Sequence, residues 1–391
     1  MTDSRYFIGL YSGSACDGID AALVTITGSG DKMRIREIAS LTECFPDSIR
    51  NRLLAFSGGH TPDASLRKDK PEPAHSLAQL DRDVAIFASR VATALMTKAE
   101  FLPEHLAGTG FSGHVAALAQ PGNGYDFGSA IILGNPAMIA LRTGAPVVAD
   151  FHKSDLAAGG LSMPITPWAD WLIYRDDKLS RVAVHLGGIS SITQIPAQSM
   201  PEDVVACQAG PGMILIDQLM HKFYFKQFDA DGKNAAAGQV KNILLNELLA
   251  HRYFQQPMPK VTTPGEWSGH YIWRLLKIAE KHRCSNEDLL ATVTELSARL
   301  IAGATAELTE RPHEIYLSGA GALNIQLANR IRKLLCPSST YTCTKMGIQL
   351  RAKQAVCCAI LAAARIDKVS AHCKNATGSA TKSLLGAIFE S

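Results

Sequence analysis

The chain has 391 residues, of which 47% are hydrophobic and 19% charged, with a formal net charge of +3. This describes a folded protein with room for two domain cores, not a disordered chain. No block of like charges marks a nucleic-acid or membrane-surface binder, and no uninterrupted apolar run reaches the ~18 residues of a membrane span.

In chain order, residues 6–27 alternate strand, glycine turn and strand around Gly13 and Asp17-Gly18, which predicts a hairpin. The polar, lysine- and proline-containing stretch 61–73 reads as a surface loop. Leu77, Leu80, Val84, Phe87, Val91 and Leu95 recur at helical spacing, predicting a helix over 74–100. Strands are expected at 109–117 and 130–133, then a helix over 135–143 started by Pro136. A short buried strand, 145–150, ends in Asp150, and 151–167 reads as a glycine-containing loop.

The second half opens like the first. The β-branched run from Arg181 turns at Gly187-Gly188 and returns to Ile195, a second hairpin whose bare turn lets N–H groups approach an anion. Its likeness to the first hairpin suggests an internal duplication. A second glycine corner, Gly210-Pro211-Gly212, leads into a helix over 213–227, and the two corners suggest one cleft seen from two sides. Further helices are expected at 238–254, 268–282 and 286–308. A strand over 314–318 then ends in Gly319-Ala320-Gly321 before a helix over 322–335, an anion-site arrangement when strand, turn and helix coincide. A helix over 351–365 and a polar tail finish the chain. The domain boundary is expected between Pro167 and Arg181, giving lobes 1–170 and 171–391.

The nine cysteines have no C-x-x-C spacing, so free thiols in a reducing cytoplasm are expected. With the N-terminus leading almost directly into a strand, a cytoplasmic location is the expectation. The twelve histidines form no metal-ligand pair and read as surface or satisfied core residues. A nucleotide between two similar α/β lobes would account for the glycine corners. Neither the P-loop pattern nor a G-x-G-x-x-G after the first strand is present.

On these residues the sequence resembles the anhydro-N-acetylmuramic acid kinases, a family of the actin-like ATPase and sugar-kinase superfamily. The resemblance covers nearly the whole chain. It is carried by GLYSGSACDGIDAAL from Gly9, ILGNPAMIALRTGAPVVADF from Ile132, Asp155 with AAGG after it, HLGGISSIT from His185, GPG from Gly210, DADG from Asp229, SGAGALN from Ser318 and TGSATKSLLGAIF near the end. It implies a two-lobed actin-like α/β fold and an ATP- and Mg2+-dependent reaction. In that reaction water opens the 1,6-anhydro bridge of the amino sugar while the released O6 takes the γ-phosphoryl group.

By the same resemblance, Gly13, Ser14, Asp17, Gly18 and Asp20 would cradle the phosphates, and Gly187, Gly188, Gly210 and Gly212 would close over them. Gly319, Gly321 and Asn324 would line the adenosine, with Asp17 helping to hold Mg2+ through water. Ser112, Asn135, Asp150 and Asp155 would stand near the sugar, and a homodimer is favoured. The partners implied are ATP and an anhydro-amino-sugar, with neither nucleic acid nor membrane.

The pattern breaks at the chemistry. Where the family's F-D-[TC]-G-P-G-N carries the aspartate that activates water, this chain has Gln208, and an acid near the C-terminus becomes Gln354. An amide does not accept a proton at neutral pH, and a lost base commonly costs about 10²–10⁴-fold in rate. Either another acid, Asp155 or Asp217, serves as base, or the chain is a catalytically silent nucleotide- or sugar-binding paralogue.

Overall fold

The computed structural model describes residues 4–56, 73–122 and 126–390. The predicted polar loop at 61–73 therefore lies outside the described residues, except where Pro73 begins a helix. The chain opens as an antiparallel meander, β1 (Arg5–Tyr11), β2 (Gly18–Thr27) and β3 (Arg34–Cys44). Helices α1 (Asp47–Phe56) and α2 (Pro73–Lys98) follow, then β4 (Leu106–Ser112), parallel to β1. The predicted strand at 109–117 is broken at Gly113, where a Cβ would lie 2.3 Å from the Leu133 carbonyl. Beyond it β5 (His114–Ala119) pairs with β6 (Ser129–Leu133) as a separate ribbon.

Helix α3 (Pro136–Thr143) starts as expected, with Asn135 accepting from the Ala137 N–H and Pro136 at its first position. Next come β7 (Val147–Ala149), α4 (Phe151–Ala157) and α5 (Pro167–Tyr174). Helix α4 corrects the loop expected at 151–167: Phe151, His152, Asp155 and Leu156 share a buried face that the glycines farther along obscure in the sequence.

The second meander is β8 (Arg181–Leu186), β9 (Ile189–Ile195) and β10 (Val205–Pro211), turning at Gly187-Gly188 as predicted. After it come α6 (Ile214–Tyr224), α7 (Lys233–Ala237), α8 (Asn242–Leu249), α9 (His270–Lys281) and α10 (Asn286–Ala306). The single helix expected at 238–254 is thus only α8, followed by a 3-10 turn at Arg252–Gln255. Helix α10 begins with a capping box, Ser285 accepting from Asp288 N–H and Asp288 from Ser285 N–H. It alone among the described helices is long and apolar enough to cross a membrane, and 78% of that window is buried within the fold. Strand β11 (Glu314–Ser318), α11 (Ile325–Leu335), β12 (Ser339–Thr342), α12 (Lys353–Ile366), α13 (Lys374–Thr377) and β13 (Ala387–Phe389) complete the chain.

The duplication read from the two hairpins is visible in the sheets. Strand order β3-β2-β1-β4-β7 in the first matches β10-β9-β8-β11-β12 in the second, each an antiparallel meander continued by parallel strands. The molecule is α/β, with the same strand plan built twice, as the expected duplication requires. The polar tail expected at the C-terminus instead supplies β13, which pairs with β7, so the last residues rejoin the first sheet.

Alternation along the strands sends Ile8, Ala21 and Leu23 to a core with α2 and α3, and Phe7, Ala22 and Val24 to the opposite face. On that face α5 and α12 share one core with residues of both sheets, including Ala183, Ala206 and Tyr316. Helix α12 fits there because Gly9 and Gly110 have no side chain: a Cβ would lie 1.7 Å from the Ala355 carbonyl and 1.9 Å from that of Cys358. Its first residue, Lys353, is fully buried and ion-paired with Asp170 of α5, which also accepts from Thr193 Oγ1 at 3.0 Å. Burial alone would lower the Lys353 pKa, but Asp170 more than offsets this, so the ammonium keeps its charge.

Candidate active site

The glycine turns of the two hairpins meet. Ser14 Oγ accepts from the Ile189 N–H at 3.2 Å, and a Cβ on Gly188 would lie 2.9 Å from that oxygen and 3.1 Å from Ala15 N. The corner 210–212 is stitched behind them: Gly212 N–H donates to Gly188 O and Met213 N–H to Gly187 O, both at 2.9 Å. Gly212 backs Gly187, since its Cβ would lie 2.5 Å from the Gly187 carbonyl.

Two cavities open on either side of these turns and share Tyr11, Gly13, Ser14 and His185 as walls. The first, of about 380 Å³, is lined by Asp17, Asp20, Gly187, Gly188, Gly319 and Asn324. It therefore gathers most of the residues expected around a nucleotide. Gly18, Gly210, Gly212 and Gly321 stand behind the walls as packing positions. Gly18 faces the Glu43 carbonyl across β3, and Gly321 faces Leu186 and Met213. The second cavity, of about 390 Å³, holds Ser112, Gln208 and Gln354, so the two substituted positions face one space.

Buried polar atoms without a hydrogen-bond partner converge on these cavities: His185 Nδ1 on both, Asp217 Oδ1 and Asn324 Nδ2 on the first, Gln354 Oε1 on the second. Other such atoms, Thr109 Oγ1 and Tyr174 Oη among them, lie elsewhere in the fold; those on the cavities are polar groups available to a ligand.

Gln208 is held on four sides. Its Oε1 accepts from Thr262 N–H at 2.9 Å, its Nε2 lies 3.2 Å from Met163 Sδ, its N–H donates to Lys260 O at 3.0 Å, and its carbonyl accepts from Tyr253 Oη at 2.6 Å. No Asp or Glu lines this second chamber among the described residues. In their place stand His114, His152 and His185.

Burial pushes His185 down to about 3, helped by Lys353, and His114 down to about 4, while His152 is lowered by burial against the opposing pull of the Ser162 carbonyl. All three are neutral imidazoles near pH 7. The sequence reading, which placed the histidines on the surface or in the core, missed them. One signal was present in His185, two residues before the glycine turn.

His152 is oriented. Its Nδ1 lies 3.1 Å from the Ser162 carbonyl, which can only accept. Ser162 Oγ is nearer still, 2.9 Å from Nδ1, and a hydroxyl serves either tautomer; the tautomer with its proton on Nδ1, facing the carbonyl, leaves Nε2 as acceptor 3.4 Å from Ser112 Oγ.

Asp155 lies behind this arrangement, fully buried and outside the chamber. It accepts from Ser162 N–H, Thr377 Oγ1 and His372 Nε2, each at 2.6 Å. The resemblance expected it beside the sugar; here it lines neither cavity and instead holds the Ser162 turn, which contacts His152. Asp150 and Asn135 likewise stand outside both cavities. Asp150 sits before α4 at φ 60° and pairs with Lys153, and Asn135 caps α3. Asp217 lines the first cavity, not the chamber of Gln208, and burial, then Asp17, raises its pKa well above the carboxylate range. Neither acid weighed as a substitute base reaches Gln208's space.

The metal expectation at Asp17 also meets an obstacle. Arg351 donates from Nη2 to Asp17 Oδ2 at 2.8 Å and from Nε to Asp20 Oδ1 at 3.2 Å. Among the described residues no group of three or more His, Cys, Asp and Glu is disposed to hold a metal ion. The residues at Asp17 therefore do not fit a metal in this arrangement.

A model of the anhydro-N-acetylmuramic acid kinase family matches residues 5–391. The anhydro-N-acetylmuramic acid kinase of Gloeobacter violaceus is 34% identical over 98% of this chain and 98% of its own length. That of Salinibacter ruber is 31% identical over 98% and 96%. Among solved structures, the activator of the 2-hydroxyisocaproyl-CoA dehydratase from Clostridium difficile, with bound ADPNP, aligns with a TM-score of 0.46 at 11% identity over 93% of this chain and 96% of that one. The duplicated lobes, the paired glycine turns and the match along the chain place this protein in the anhydro-N-acetylmuramic acid kinase family.

Proposed function

We propose that the chain binds ATP in the first cavity and an anhydro-amino sugar in the second, and transfers the γ-phosphoryl group slowly, with an imidazole in place of the carboxylate base. The observation that carries this is the composition of the second chamber: two amides, three neutral imidazoles and no described carboxylate.

The N–H groups of the paired turns would cradle the phosphates between the chambers, with Gly319 and Asn324 beside the nucleoside. In the sugar chamber His152, with its proton on Nδ1 toward the Ser162 carbonyl, offers Nε2 as the acceptor. A proton from the attacking water would pass to it, the water oxygen would bond to the anomeric carbon as the bridge to O6 breaks, and O6 would take the phosphoryl group as ADP leaves. Gln208 would position the water or sugar through its amide without taking the proton.

The test is sugar-dependent ADP release. Gln208→Asp should raise it by about 10²-fold or more, and His152→Gln should lower it while sugar binding persists. Faster turnover in Gln208→Asp with no effect of His152→Gln would remove the imidazole from the mechanism.

A second reading, a silent binding paralogue, is favoured by one observation: the Gln208 oxygen is already committed to Thr262 N–H. Such a protein would melt at higher temperature with ATP and with the sugar, yet release no ADP in either background.

A further inference from the structure

The geometry points to Arg351 as the resident cation of the nucleotide cavity, taking the place of a divalent metal on Asp17, so that this chain holds a nucleotide without metal. This rests on reading that cavity as a nucleotide site.

Four observations converge. First, Arg351 lines the cavity together with both glycine turns. Second, its guanidinium bridges Asp17 in the first-hairpin turn and Asp20 on β2, and Thr42 Oγ1 also donates to the same Asp20 oxygen, at 2.5 Å. Third, the backbone just before it is anchored, since Gly319 N–H donates to Leu350 O at 2.8 Å. Arg351 is thus tied to the first hairpin through its side chain and to the late glycine corner through its main chain, the two features expected to flank the phosphates and the nucleoside. Fourth, the remaining carboxylates of the cavity are not free to gather a metal. Asp229 accepts from Asn234 N, Asn234 Nδ2 and Ala235 N. Asp231 pairs with Lys233. Asp217 favours its neutral form.

The chemistry suits the role. Burial works against the Arg351 charge, but Asp20 and Asp17 outweigh it and hold the pKa above the ordinary value, so the guanidinium is permanently charged. Five N–H donors leave three beyond the two bonds described, in a planar fork that matches phosphate oxygens. Arg50 lines the same cavity with a buried Nε that lacks a partner, a second cation facing the same space.

The test is calorimetric titration of the full-length protein with ADP and ATP, in excess chelator and in excess Mg2+. Wild type should bind in chelator within about threefold of its affinity in Mg2+. Arg351→Gln should lose about tenfold or more in chelator and become metal-dependent, because Asp17 is released. Arg351→Lys, which keeps the charge without the fork, should fall between and serves if the glutamine variant folds poorly. Asp17→Asn, which loosens one of the two ties on Arg351, should weaken metal-free binding, whereas a metal-ligand role would cost it only the Mg2+-dependent affinity.

Binding by wild type in Mg2+ but not in chelator would overturn the role of Arg351, as would equal metal-free affinities in wild type and Arg351→Gln. No binding of either nucleotide in any buffer would instead overturn the nucleotide reading of the cavity.

Discussion

Acid should unfold this protein through its active-site imidazoles, well before its carboxylates titrate. In an unfolded chain a histidine binds its proton near pH 6.5. In the folded protein His114 stays neutral down to about 4 and His185 down to about 3. Between those values and 6.5 the unfolded state binds more protons, so stability rises with pH across that window and is flat above it. One pKa unit corresponds to ~1.4 kcal/mol, so lowering the pH from 7.5 to 4.5 should remove ~2.6 kcal/mol per imidazole and ~5 kcal/mol for the pair. That is a large share of the ~5–15 kcal/mol typical of a folded domain.

Asp217 acts in the opposite sense. Its raised pKa contributes stability that grows as the pH falls, whereas His152, lowered by burial, adds to the acid loss. Urea unfolding from pH 7.5 to 4.5 reads the slope, and His185→Asn isolates one share: its acid loss should be ~2.6 kcal/mol smaller than that of wild type. Parallel slopes for the two proteins, or NMR titration of His185 near 6.5 in the folded state, would refute the reasoning.

Three further outcomes follow from packing. Gly188→Ala puts a methyl 2.9 Å from Ser14 Oγ, so the turns must part and ATP affinity should fall about tenfold or more by calorimetry, with little change in melting temperature. Asp155→Asn faces the Ser162 N–H and Thr377 hydroxyl with an amide that cannot satisfy both and His372, and urea unfolding should show a loss of ~3 kcal/mol. The reading of Asp155 as a purely positioning residue fails if its asparagine variant keeps full stability but loses sugar-dependent turnover. Lys353→Met strands Asp170 between α5 and α12 and should cost ~3–5 kcal/mol, while pairing it with Asp170→Leu should recover much of that loss.

The hairpin turns, the helix caps and the duplicated meander were readable in the amino-acid order because each rests on local chemistry. Gly187-Gly188 turns whatever surrounds it, Pro136 starts α3, Ser285 and Asp288 cap α10, and the family resemblance follows the same runs. The chamber was not readable that way. His114, His152 and His185 come from separate elements and become neutral neighbours only when burial strips their water. The sequence placed Asp155 in the same motif as the cleft residues, but α4 turns it inward to a histidine 217 positions away. Arg351 reads as one more cation at the start of a predicted helix until the fold carries Asp17 and Asp20 to it across more than 330 residues. Local backbone preference acts over a few residues, whereas pKa values, ion pairs and cavity walls depend on which distant atoms share one desolvated space.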